Sequence, residues 1–139
     1  MLLDLDHFKL INDQYGHDAG DKVLATIGKL LMKACRLGDF VARIGGEEFL
    51  IILPHCLAED AVNKGKHIRT AIENSNPGGL KVTASIGIAC LSEEHDADFE
   101  KLYKVADEAV YHSKKNGRNR VTIITKKKKT GLVKQLNNH

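Results

Sequence analysis

The residues of this chain best able to do chemistry fall in a few short segments. The densest is Gly45-Gly46-Glu47-Glu48-Phe49. Two glycines let a ligand approach the backbone closely, and two carboxylates follow at once. Asp4 and Asp6, in Met1-Leu2-Leu3-Asp4-Leu5-Asp6, supply more acid. Lying two residues apart, they share a face of an extended strand. If that strand runs beside the segment holding Glu47, the carboxylates converge. They would then be hard oxygen ligands of the kind Mg²⁺ takes, usually together with substrate phosphates. A solvated acidic turn explains the glycine–glutamate segment equally well when it is taken alone. Asp4 resists that explanation, because burying an unpaired carboxylate inside an apolar run is costly.

Two further groups are weaker on their own. Lys114-Lys115-Asn116-Gly117-Arg118-Asn119-Arg120 is a basic cluster at a helix end. Complementing the helix dipole accounts for part of it. Phosphate binding is the alternative, with Lys as a point charge and Arg as a fork. Asn12, His17 and Asp21 lie in the polar segment after the first strand. Asn and Asp can read a base edge by paired hydrogen bonds, but turn formation and capping are the commoner duties of such residues.

The elements that must position these groups follow from periodicity. Met1 to Leu5 reads as a buried strand, and a chain that starts inside a core strand looks cut from a longer one. A short helix is expected near Phe8–Gln14. A longer one follows, with Val23, Leu24, Ile27, Leu30, Leu31 and Ala34 at helical spacing, Asp21 in its first turn or at its cap, and a stop near Gly38. Phe40–Arg43 and Phe49–Leu53 read as strands joined by a glycine turn that needs positive φ. A helix marked by Ala61, Val62, Ile68, Ala71 and Ile72 ends at Asn76-Pro77. Val82–Cys90 is a strand, Leu102 to Val110 marks a helix closed by Asn116-Gly117, and Val121–Thr125 is a last strand. Interleaved strands and helices with one tight hairpin predict an α/β (α+β) fold, a mixed central sheet flanked by helices.

Composition narrows the classes. The 139 residues are 42% hydrophobic and 28% charged, enough for one buried core. The net charge of +3 is uneven, because residues 126–139 carry five lysines and no acid. The rest holds 16 basic against 18 acidic residues, which argues against a nucleic-acid surface on the body. The 126–139 segment reads as a basic, mobile tail. Cys35, Cys56 and Cys90 are odd in number and widely spaced, so neither a disulfide framework nor a zinc knuckle is expected. Free thiols and the lack of a visible secretion signal suit the cytoplasm.

Taken together, the segments resemble a known family. Asp4-Leu5-Asp6-His7-Phe8-Lys9-Leu10-Ile11-Asn12-Asp13, Gly16-His17-Asp18-Ala19-Gly20-Asp21 and Arg43-Ile44-Gly45-Gly46-Glu47-Glu48-Phe49 look like the GGDEF domain. Ser85-Ile86-Gly87-Ile88-Ala89, Ala106-Asp107-Glu108-Ala109-Val110-Tyr111 and Lys114 to Asn119 continue the match in order. The resemblance covers residues 1 to about 125, with Glu in place of Asp at the third signature position, a variant found in active members.

The resemblance implies a fold similar to the palm of adenylyl cyclases and polymerases. It also implies a diguanylate cyclase, which condenses two GTP into cyclic di-GMP and pyrophosphate. By that likeness Asp4, the Leu5 carbonyl and Glu47 hold Mg²⁺, or Mn²⁺ in its place. Asn12 and Asp21 recognise guanine, with His17 nearby. Lys114 and Arg118 hold the triphosphate, and Gly45 and Gly46 admit the nucleotide. Lys9 neutralises charge in the transition state. Glu47, in preference to Glu48, helps deprotonate the attacking 3′-hydroxyl. The active species is a transient homodimer, each domain holding one GTP. Arg36-Leu37-Gly38-Asp39 matches the family's RxxD inhibitory motif, so Arg36 and Asp39 are expected to bind the product. The second arginine that some members supply from the next helix has no clear counterpart, although His67 or Arg69 lies nearby. The family's usual first helix and the sensory module that precedes it are missing from this chain. The rival reading is a binding module that holds GTP or cyclic di-GMP without catalysis.

Overall fold

The computed structural model describes residues 1–91, 98–125 and the pair Val133–Lys134. Most of the lysine-rich segment therefore lies outside the described residues. The elements run β1 (Leu2–Leu5), α1 (Phe8–Tyr15), α2 (His17–Ala34), β2 (Phe40–Arg43), β3 (Glu48–Ile52), α3 (Ala58–Ser75), β4 (Ala84–Ala89), α4 (Phe99–Lys115), β5 (Arg120–Ile124) and β6 (Val133–Lys134), with a 3₁₀ turn at Pro77–Gly79. They form one mixed sheet in the order β2-β3-β1-β4-β5-β6. β1 lies near its centre, antiparallel to both β3 and β4. β4 and β5 are parallel, as a helical crossover through α4 requires.

Strict alternation along the strands feeds two packed layers. Leu3, Leu5, Ile51, Ile86, Ile88, Val121 and Ile123 share one cluster with Val23, Ile27, Leu31, Ile68 and Ile72, from α2 and α3. Each such side chain, fully buried, contributes roughly 1.5–3 kcal/mol. Leu2 and the half-buried Leu50 and Ala89 take the opposite face, against Ala106, Val110 and Tyr103 of α4. Asp4, Asp6 and Ser85 follow this second register, so the acids emerge on the α4 side of the sheet. Gly87 is what lets α4 lie so close. A Cβ there would sit 2.3 Å from the Ala106 carbonyl oxygen and 2.4 Å from the Val110 nitrogen. Ser113 then fixes the helix's far end, its hydroxyl donating to the Ile86 carbonyl at 2.9 Å and lying 2.8 Å from the Thr122 hydroxyl. The next residue along the helix is Lys114.

Two expectations need correction. α2 begins at His17, a turn before Asp21, because Gly16 (φ +88°) breaks the chain between α1 and α2 and leaves His17 free to start the helix. Asp18 is therefore the first-turn acid, and Asp21 is an exposed residue of the second turn. Gly45 and Gly46 do not have positive φ. The β2–β3 connection spans 44–47, closed by the Ile44 amide donating to the Glu48 carbonyl at 3.0 Å, so no two-residue turn is required. Missing bulk is what the glycine supplies at position 45, not at 46. A Cβ on Gly45 would crowd the Glu48 carboxylate at 3.1 Å, and one on Gly46 would meet nothing within 4 Å. Among the described residues no helix is long and apolar enough to cross a membrane.

Candidate active site

The end of β1 and the start of β3 meet where the sequence placed its acids. Asp4 stands directly opposite Glu48 in the antiparallel register. One residue on, the Leu5 amide donates to the Glu47 carbonyl at 3.1 Å, which fastens the glycine loop to the central strand. Asp4 is only 6% exposed. Its carboxylate accepts from Lys114 Nζ at 2.7 Å, across the face of the sheet from the last turn of α4. Asp4, Leu5, Glu47, Glu48 and Lys114 are thus one group, reached through long-range pairing.

This group has an excess of negative charge. Partial burial raises the Glu48 carboxyl above its ordinary range, and the charges of Asp4, Asp107 and Glu47 push it further, against the pull of Lys114. Tyr103 feels the same field: burial first, then Glu48 and Asp107, raise its phenol. Asp107, one turn along α4 from Tyr103, escaped notice as a site residue, although it lies in a segment already singled out. Among the described residues no three His, Cys, Asp or Glu side chains form a ready-made metal cluster. The available donors are two or three carboxylates and a main-chain carbonyl, all oxygen. They already receive one cation, the Lys114 ammonium, so they fit a hard divalent ion that shares its shell with substrate oxygens.

Asp6 has a different job. It is 5% exposed. Its Oδ1 accepts from Ser85 Oγ at 2.6 Å, and its Oδ2 accepts from Thr83 Oγ1 at 2.7 Å and the Asn119 amide at 3.0 Å. It anchors the loop after α4, which carries the exposed Arg118 beside the α4 terminus. Thr83 went unremarked in the sequence, and Ser85 was noted only within a matching segment, not as a partner of Asp6. Their alternation with Val82, Ala84 and Ile86 was the signal that one face of that strand turns polar beside β1.

The other predicted residues lie on α1 and α2. Lys9 is exposed on α1, which starts two residues after Asp6. Asn12 is half-buried where α1 meets α2, and Gly20 makes room for it: a Cβ there would overlap Asn12 Oδ1 at 1.9 Å. His17 and Asp21, four residues apart, are exposed on the same side of α2.

Arg36 and Asp39 form a separate place, on the α2–β2 connection. The Arg36 amide donates to Asp39 Oδ2 at 2.8 Å, and Lys64 Nζ of α3 donates to the same oxygen at 3.1 Å and to the Ala34 carbonyl at 3.1 Å. Burial would raise the Asp39 carboxyl, but the Arg36 amide, Lys64 and the Arg36 charge outweigh it and hold it below its ordinary value. The Arg36 guanidinium stays largely in solvent. Among the described residues no hydrogen bond or ion pair links this place to the Asp4 group. Of the two nearby candidates for a second arginine, Arg69 is already engaged, donating to Glu73 and Asn119.

Comparison with known proteins accords with this geometry. Diguanylate cyclase DgcM of Escherichia coli K12 is 41% identical over 122 residues, 87% of this chain and 29% of that protein. Diguanylate cyclase A of Treponema denticola is 40% identical over 126 residues, 88% of this chain and 34% of its own length. The chain therefore spans about a third of these relatives. Among solved structures, the active GGEEF domain of a diguanylate cyclase from Vibrio cholerae superposes with a TM-score of 0.82 at 37% identity, covering 88% of this chain and 79% of that one. The GGDEF domain of DgcB from Caulobacter crescentus, in complex with c-di-GMP, gives 0.80 at 33% identity, covering 88% and 74%. The family model "Diguanylate cyclase, GGDEF domain" matches residues 1–120, and this chain belongs to that family.

Proposed function

We propose that this chain is the catalytic domain of a diguanylate cyclase, which joins two GTP molecules into cyclic di-GMP and releases pyrophosphate. One observation carries the reading: Asp4 faces Glu48 across paired strands, with Leu5 fastened to Glu47 and Lys114 reaching in from α4. Asp4, the Leu5 carbonyl and Glu47 would hold Mg²⁺, or Mn²⁺ in its place. When bound, the ion neutralises phosphate charge and lowers the pKa of a coordinated hydroxyl. Lys114 and Arg118 grip the triphosphate, and the bare backbone at Gly45 and Gly46 lets it lie close. Asn12 and Asp21 read the guanine edge, with His17 beside them. Lys9 offsets charge that builds on the phosphate oxygens.

Two bonds form, each joining the 3′-oxygen of one GTP to the α-phosphorus of the other. Two bonds break, each linking an α-phosphorus to its β-phosphate, so two pyrophosphates leave. Glu47 takes the hydroxyl proton, with Glu48 as the rival acceptor. Such transfers depend mostly on positioning and charge stabilisation. Each domain holds one GTP, so the working unit is a two-fold homodimer. In a longer protein, attached modules would control how often two domains meet, by raising their effective concentration. GTP as substrate places the domain in the cytoplasm. Product bound at Arg36 and Asp39 would slow turnover.

The test is to incubate the full-length protein with GTP and Mg²⁺ and to look for the cyclic dinucleotide. Nucleotide binding without product would favour the rival reading, a module that signals by holding GTP or cyclic di-GMP.

A further inference from the structure

The loop after α4 is held in a shape it would not adopt alone. Gly117, Arg118 and Asn119 all have positive φ, at 119°, 63° and 46°. Two of the three carry side chains, so this left-handed path persists only because its surroundings impose it. The Arg118 amide donates to the Ser113 carbonyl at 2.9 Å, continuing the helix end. Asn119 is gripped from two sides. Asp6 of β1 accepts its amide at 3.0 Å. From α3, Arg69 Nη1 donates to Asn119 Oδ1 at 2.9 Å, while Asn119 Nδ2 donates to Glu73 Oε2 at 2.9 Å. Arg69 Nη1 also donates to Glu73 Oε2 at 2.5 Å, which closes a three-membered ring of contacts. A carboxamide carries its acceptor and its donor on separate atoms, so Asn119 accepts from the guanidinium through Oδ1 and donates to the carboxylate through Nδ2 at once. The side chain is thereby fixed in orientation as well as place.

We infer that Arg69, acting with Glu73 through Asn119, is a positioning residue that presents Arg118 to the phosphate chain of the nucleotide. This rests on the GTP reading above. Among the described residues Arg69 makes no hydrogen bond or ion pair to a predicted site residue. It restrains the residue next to Arg118, and a guanidinium loses least on binding when its backbone is already set.

The experiment is a thermodynamic cycle on the full chain. GTP affinity in Mg²⁺ is measured by titration for the parent, Arg69→Ala, Arg118→Ala and the double variant, with guanosine as the phosphate-free probe. Arg69→Ala is expected to weaken GTP about three- to ten-fold and leave guanosine unchanged. In the Arg118→Ala background it should cost nothing further, because the two act as one unit. Additive losses, or equal weakening of GTP and guanosine, would overturn the inference and return Arg69 to a merely structural role. If Arg69→Ala does not fold, Glu73→Ala, on an exposed surface, takes its place with the same expectation. A parent that binds GTP with an affinity indifferent to both variants sinks the positioning role alone. A parent that binds no GTP removes the nucleotide reading, and the inference with it.

Discussion

Two acidic places in this molecule have opposite charge balances. Among the described residues Glu48 feels the charges of Asp4, Asp107 and Glu47 against that of Lys114, and its carboxyl is pushed up. Asp39 sits between Lys64 and Arg36, and its carboxyl is held down. The first place lacks positive charge and is suited to receive a cation. The second is satisfied internally and leaves a guanidinium in solvent, suited to receive an anion. Asp4 and Asp6 repeat the lesson on one strand. Both are buried on the same face, but Asp6 accepts three hydrogen bonds, whereas among the described residues Asp4 accepts one. The saturated acid builds the scaffold, and the unsaturated one has lone pairs left over.

The largest test of this contrast is Glu47→Gln. Turnover of GTP to cyclic di-GMP should fall about 10²-fold or more. Far-ultraviolet circular dichroism should stay unchanged, because the side chain lies on a loop. Product formed at the parental rate would remove Glu47 from the chemistry. Next is Lys114→Met, which strands the buried Asp4. We expect a loss of about 2 kcal/mol in urea unfolding. Mg²⁺ should raise the melting temperature of this variant more than that of the parent. A Mg²⁺ effect no greater than the parent's would break the idea of a cation-hungry group.

Arg36→Ala addresses the other pole. The cyclic di-GMP concentration that halves the rate should rise about ten-fold, with turnover spared. Unchanged inhibition would leave Arg36 as a loop residue. The smallest effect is expected from Asp39→Asn, about 1 kcal/mol at neutral pH. Because the folded carboxyl titrates below its unfolded value, its stabilisation is present above the ordinary aspartate range and fades as pH falls through the lowered one. Melting curves of parent and variant should therefore converge in acid. A gap that is constant with pH would mean that the charge of Asp39 is irrelevant.

Much of the candidate site was legible because its residues announce themselves by type. Glycines before paired glutamates, an aspartate inside an apolar run, and Lys and Arg at a helix end are unusual locally. The elements were legible too, since period 2 and period 3.6 survive in most segments. The expected glycine turn failed because a Gly-Gly pair suits several loop lengths, and only strand register selects among them. The first turn of α2 was misplaced because Gly16 reads equally as a helix end or a helix start.

The amino-acid order by itself determined which groups exist and on which face of each strand they emerge, because side-chain alternation is local. Only the tertiary structure decided that Asp4 meets Glu48 and Lys114, 44 and 110 positions away, while Asp6 is taken up by Thr83, Ser85 and Asn119. Partners so distant in the chain are chosen by sheet order and by how closely α4 can approach at Gly87. Both are properties of the packed whole.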